Sequence, residues 1–148
     1  MKKLLPLILL ISSCVGQDVP PIQKQTVRLT VYWKAEDGWT RRGFTSTGEP
    51  LVSYKTIAAD PRDFPYFSKI SIPEIDICGT VVDTGSALRT RKAAKKMGRN
   101  VPVLDLYIEK KKDALDFIKG KPYFVDVIVE PKWKPKSYTV SAIIIACF

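Results

Sequence analysis

The sequence predicts a mainly β protein, a small closed barrel of six or seven short strands with two short helices. Three observations predict it. Short apolar runs, alternating or rich in Val and Ile, recur at even spacing along 148 residues. Gly, Pro and Asp turn signals separate them. Helical spacing occurs in only two stretches, both brief, with no internal repeat or low-complexity segment.

Residues 1–13 read as an export signal: Lys2 and Lys3 supply charge, and Leu4 to Ile11 form an apolar core too short to span a bilayer. Ser12-Ser13-Cys14 at its end resembles the lipobox of bacterial lipoproteins. That resemblance implies acylation of Cys14 and a lipid-anchored envelope protein. With Val15 rather than Asp after the Cys, the outer membrane facing the periplasm is the expected place. A plain secretory signal with an incidental Cys is the other reading. Residues 14–25, with Asp18, Pro20 and Pro21, read as a tether. The globular domain is expected over residues 26–148.

From Thr26 to Trp33 the chain alternates. Val27, Leu29, Val31 and Trp33 form one face and Arg28, Thr30 and Tyr32 the other. Glu36-Asp37-Gly38 turns the chain. Gly43 to Gly48 is rich in Gly and hydroxyls, which suits either a ligand-contacting loop or a polar hairpin loop. Thr56 to Ala59 is a short strand ending in Asp60-Pro61. Ile70, Ile72 and Ile75 support another, with Pro73 marking an edge or bulge. Val81 and Val82 lead to Asp83, and Thr84-Gly85-Ser86 turns away.

Residues 89–99 carry Arg89, Arg91, Lys92, Lys95, Lys96 and Arg99. Ala93, Ala94 and Met97 fit one face of a single short helix that Gly98 ends. A run of this kind is a solvated face, or here a basic flank to a cleft that attracts an anionic polymer. Val103 to Tyr107 is the next strand. Glu109 to Ile118 is the second helix, with Ala114, Leu115, Phe117 and Ile118 inward, stopped by Gly120 and Pro122. Tyr123 to Val129 and Tyr138 to Ala146 complete the strands.

The net charge of +9 favours anionic surroundings, yet no zinc-finger, helix-turn-helix or RRM-type pattern is present, so nucleic acid is not an expected partner. There is no His, which excludes Ser-His-Asp and Cys-His catalysis and His-ligated metal sites. No cofactor or metal is expected, and the domain reads as a monomer. Of three Cys, Cys78 and Cys147 are either a disulfide pair, if the domain is exported, or two buried free thiols.

Two strands each carry one carboxylate. Alternation puts Asp105 on the face of Val103 and Tyr107, with Leu104, Leu106 and Ile108 on the other. A carboxylate in so apolar a strand is costly unless paired, hydrogen-bonded or protonated, and such groups mark sites. The plain alternative is Asp83 capping a turn and Asp105 facing water.

In order, Tyr32-Trp33, Thr45-Ser46-Thr47-Gly48, Ala58-Ala59-Asp60-Pro61, Asp83-Thr84-Gly85-Ser86-Ala87-Leu88 and Leu104-Asp105-Leu106-Tyr107 resemble the motifs of the 3D-domain family, named for three aspartates. That family includes the C-terminal part of MltA-type lytic transglycosylases. Ser86 stands where the family has a second Gly, Phe64 to Ser68 replaces its Pro-Leu-Gly-Thr, and the interval from Asp83 to Asp105 is longer, the basic run being the insertion. The resemblance implies a double-psi β-barrel acting on peptidoglycan glycan strands. It implies Asp105 as the acid/base, Asp83 orienting substrate or stabilising positive charge, and Asp60 in support. Tyr32, Thr45, Thr47, Gly48, Thr84 and Gly85 are the expected substrate contacts. The product expected is a 1,6-anhydro sugar. The rival expectations are a non-catalytic, expansin-like peptidoglycan-binding lipoprotein and a basic envelope protein that binds anionic lipid or nucleic acid.

Overall fold

The computed structural model describes residues 23–38 and 40–130. The expected signal region, Cys14, most of the expected tether, the strand expected over Tyr138 to Ala146 and Cys147 lie outside the described residues; Cys78, expected to be buried if free, is an exposed free thiol on the β-strand Ile77–Asp83.

Six strands close into a barrel: β1 (Gln23–Tyr32), β2 (Thr56–Ala58), β3 (Lys69–Ile72), β4 (Ile77–Asp83), β5 (Val103–Tyr107) and β6 (Phe124–Glu130). Around the wall the order is β1-β5-β2-β4-β3-β6. The β1–β5 and β2–β4 pairs are parallel, and the other four are antiparallel. The alternation read from the sequence sets the inside. Val27, Leu29, Ile57, Ile70, Val81, Leu104, Leu106, Val125 and Val127 are each at most 1% exposed and form one core. Each such side chain contributes about 1.5–3 kcal/mol relative to exposure.

β1 begins at Gln23 rather than Thr26. Gln23, Lys24 and Gln25 pair with Val129, Ile128 and Val127 of β6, so backbone pairing extends the strand before apolar burial begins at Val27. β6 begins at Phe124, and Tyr123 lies outside it, 56% exposed. Pro73 ends β3, and a 3-10 turn over Pro73–Ile75 follows.

Helical structure differs from the two helices expected. The basic segment forms two short helices, α1 (Ser86–Arg89) and α2 (Lys92–Lys95). Arg91 breaks them apart at φ 55, a left-handed conformation held by its guanidinium on Asp63 Oδ1 (2.8 Å) and Asn100 O (3.1 Å). Ala94 is buried, but Met97 is 43% exposed. Gly98 ends the segment as expected: at φ 73 it lets its own N–H reach Lys95 O and that of Arg99 reach Ala94 O. The last helix is α3 (Lys111–Ile118), in which Ala114 is buried and Leu115 is 46% exposed. One turn of the helix faces the barrel, and Leu115 lies outside that arc.

A second apolar cluster sits on the outer face of the wall. Tyr32, Ala58, Val103 and Tyr107 meet Leu88 of α1 and Ala94 of α2 there. The basic segment is therefore anchored on the face that carries Asp105.

Candidate active site

Four adjacent strands carry the site. β2 lies between β4 and β5, and its last residue, Ala58, is opposite both Asp83 and Asp105. On the far side of β5, Thr30 is opposite Asp105. The row Thr30–Asp105–Ala58–Asp83 thus crosses four strands. With two strand spacings between them, the Asp83 and Asp105 Cα atoms are about 10 Å apart. Ala58 has almost no side chain to fill the interval.

An irregularity aims Asp83 into this row. Ile57 is opposite Val81, yet Ala58 is opposite Asp83, because the register skips Val82. Unbroken alternation would have put Val82 there. A bulge beside a site redirects a side chain in this way.

Asp83 is held on both oxygens. The Ser46 and Thr84 N–H groups donate to Oδ1, each at 2.9 Å, and the Tyr32 hydroxyl donates to Oδ2 at 3.1 Å. Tyr32 is buried, and burial, with Asp83 next, pushes its hydroxyl pKa far above the ordinary tyrosine value. It stays a donor. Its ring meets Tyr107 at 5.3 Å between centroids.

Asp105 is treated differently. Its Oδ1 is enclosed with no hydrogen-bond partner among the described residues, while the residue as a whole keeps partial exposure. Desolvation raises its pKa to about 7; Glu36 and Asp83 add to the rise, and the Thr30 hydroxyl and Arg28 oppose it. Near neutrality this carboxyl is part protonated, as a group that gives and retakes a proton must be.

The loop expected to touch ligand is built around its own hydroxyls. Thr45 Oγ1 accepts from Glu49 N (3.1 Å) and shares a hydrogen bond with Thr47 Oγ1 (3.1 Å). Thr47 Oγ1 donates to Val82 O at 2.8 Å. Thr45 is buried, and Gly48 turns the loop at φ 86. These bonds dock the loop on β4 and aim the Ser46 N–H at Asp83. Ser46, exposed beside the Tyr66 hydroxyl (3.4 Å), carries the loop's link to the carboxylate. Thr84 Oγ1 is enclosed without a hydrogen-bond partner among the described residues. Gly85 is extended, at φ −160, and caps α1. Ser86 is the first residue of α1.

Asp60 is buried at the end of β2 and is clamped by Arg62, whose Nη2 meets Oδ2 at 2.6 Å. That hydrogen-bonded pair, more than any other influence, holds the Asp60 carboxyl below the ordinary range. Its carbonyl accepts the Asp63 and Phe64 N–H groups. Asp60 thereby fixes the turn that brings Asp63 to Arg91.

Sequence reasoning passed over Glu36, Ser46 and Ala58. Glu36 reads as a turn residue, and only folding makes it a charged neighbour of Asp105. A depression of about 690 Å³ lined by Leu115, Ile118 and Tyr123 among others lies between α3 and β6 and contains none of the expected site residues. Among the described residues no three of His, Cys, Asp or Glu converge to hold a metal ion. No described helix is long and apolar enough to cross a membrane.

No protein-family model matches this chain, and no curated protein matches it. Among solved structures the chain is similar to the crystal structure of MltA from E. coli, at TM-score 0.38 and 16% identity. The match covers 58% of this chain and 26% of that one.

Proposed function

We propose that this protein cleaves the β-1,4 bonds of peptidoglycan glycan strands as a lytic transglycosylase, with Asp105 as its single acid/base. The observation that carries the reading is the state of that carboxyl. Its pKa is raised to about 7, one oxygen lacks a partner among the described residues, and Asp83 lies two strands away in the same row. The ordered motifs of the 3D-domain resemblance support the choice of substrate. The mixture of parallel and antiparallel pairs in a six-stranded closed wall supports the double-psi reading.

Protonated Asp105 gives its proton to the glycosidic oxygen as the C1–O bond breaks. The resulting carboxylate then takes the proton of the sugar's own C6 hydroxyl, whose oxygen bonds to C1. A 1,6-anhydro end forms and Asp105 is protonated again, with no water consumed. Asp83, held by three donors, stabilises the positive charge that develops on the sugar ring. Tyr32, Thr84 and Gly85 line the row, and Thr45, Thr47 and Gly48 shape the loop that holds Asp83. Asp60 supports them from the turn below. Cys14 carries the lipid that anchors the monomer to the outer membrane, with the domain facing the periplasm.

One observation favours a second reading. The enclosed Oδ1 of Asp105 suits a non-catalytic, expansin-like binding module in which the carboxyl is a buried structural group. Mass spectrometry of peptidoglycan incubated with the purified protein separates the two. Soluble 1,6-anhydro products, absent with Asp105→Asn at unchanged circular dichroism, are the expected result. Co-sedimentation without products supports the binder, and products with free reducing ends replace the mechanism by hydrolysis.

A further inference from the structure

We infer that the segment from Ser86 to Asn100 docks the carboxylates of the peptides borne by the glycan strand. The inference rests on the peptidoglycan reading above and adds which part of the polymer this segment takes.

The segment holds six Lys or Arg residues and no Asp or Glu, in a chain whose totals are 24 and 15. Much of the chain's charge excess is concentrated here. Two of the six are engaged: Arg91 on Asp63 at 2.8 Å, and Arg99 over the Phe124 ring at 4.2 Å. Arg89, Lys92, Lys95 and Lys96 are exposed and have no ion-pair partner among the described residues. A helix face with only a solvating task gains from acids three or four residues away from its lysines. This face has none, so its cations repel one another until an anion arrives.

Location turns that repulsion into a specific arrangement. Leu88 and Ala94 pin the segment onto Tyr32, Ala58, Val103 and Tyr107, the outer face that bears Asp105. The left-handed Arg91, tied to Asp63 and Asn100, sets the direction in which α2 leaves. Lys92, Lys95 and Lys96, with Thr90, line a shallow depression of about 500 Å³. The three lysines thereby sit together on a segment anchored to the face that bears Asp105.

The chemistry of the cations selects the anion. Three of the four cations outside any ion pair among the described residues are Lys, a point charge on a flexible stem, rather than the planar Arg fork that grips phosphate. Singly charged carboxylates at variable positions match such a group. In a peptide-bearing glycan the sugars next to the scissile bond are neutral and the charge sits on the branches. Anionic groups set to one side of the Asp83–Asp105 row are what that geometry requires.

The test uses the full chain and a triple variant, Lys92→Gln, Lys95→Gln and Lys96→Gln, none of which lies in the carboxylate row. Binding is measured by co-sedimentation with intact peptidoglycan, with the same glycan stripped of its peptides by an amidase and its freed lactyl carboxyls capped as neutral amides, and with vesicles of anionic phospholipid. The native protein is expected to bind the peptide-bearing form about tenfold more tightly than the stripped form, an advantage that shrinks with salt. The triple variant is expected to lose that advantage, bind stripped glycan as the native protein does, and melt no lower. Equal loss on both glycans, a retained preference, or a native preference for the vesicles overturns the inference. If the native protein releases no 1,6-anhydro product while the lysine-dependent preference persists, the docking face stands and the catalytic reading falls. If it binds neither glycan, the peptidoglycan reading falls and takes this inference with it.

Discussion

Asp105 and Asp83 are the same residue type in the same row, and their surroundings push them to different tasks. Asp83 accepts three hydrogen bonds, whereas one oxygen of Asp105 accepts none among the described residues. The consequence for stability has a definite sign. With its pKa raised to about 7 from 3.8, folded Asp105 holds a proton that the unfolded chain releases above about pH 4. Stability therefore falls as pH rises from about 4 to 7 and stays low above. Asp105→Asn, neutral at every pH, removes that loss. It is expected to restore stability on the order of 4 kcal/mol at pH 8, read as a higher melting temperature, and to leave the melting temperature unchanged near pH 4. Thermal melts at the two pH values check this; equal shifts at both mean the carboxyl is not held protonated. The activity of the native protein is expected to fall as pH rises through about 7, since the acid form starts the reaction. Tyr32→Phe removes one donor from Asp83 and keeps the ring contact with Tyr107. It is expected to leave the melting temperature within a few degrees and lower product release about tenfold, the scale of a charge-assisted hydrogen bond. Unchanged turnover would remove Tyr32 from the site.

At the level of elements, β2 does the joining, and it is three residues long. The alternation that puts Asp105 on the face of Val103 and Tyr107 was legible in the sequence, and so was the end of the basic segment at Gly98. The meeting of Asp83 with Asp105 was not. Their strands follow one another in the chain, but in the wall β2 lies between them, and which strand intervenes depends on long-range pairing. The skipped Val82 and the Arg91–Asp63 bond were hidden for the same reason, as each depends on a partner far along the chain. Two glycines beside Asp83 separate what the fold needs from what a motif suggests. A Cβ on Gly79 would lie 2.6 Å from Lys55 O and 2.8 Å from Ile57 Cδ1, so β4 fits against β2 only with hydrogen there. Gly79→Ala is expected to cost about 1–3 kcal/mol, read as a melting temperature several degrees lower. A Cβ on Gly85 would meet only Leu88 Cδ1, at 4.0 Å, in extended backbone that any residue adopts. Gly85→Ala is expected to melt with the native protein; a large loss there would mean the turn after Asp83 differs from the one described.

For the whole molecule, closure makes the site a property of the entire wall. β1 pairs with β5 through Arg28 to Tyr32 and with β6 through Gln23 to Arg28, so the strand that supplies Thr30 and Tyr32 to the row is also the strand that closes the barrel. No edge among the six strands is left open, and the core residues of all six belong to one cluster. Loosening β6, on the side away from the carboxylates, must then loosen β1 and β5 with it. Val127, fully buried on β6 opposite Gln25, is the place to test this. Val127→Ala removes two methyl groups from the core at a cost of about 1–2 kcal/mol. If the barrel is one cooperative unit, far-UV circular dichroism and tryptophan fluorescence should report a single urea transition, shifted to lower concentration by the same amount for both probes. The slope of that transition should equal the native one, because the surface exposed on unfolding is unchanged. Two separated transitions, or a probe that does not shift, would mean that β6 opens independently of the strands that bear Asp83 and Asp105.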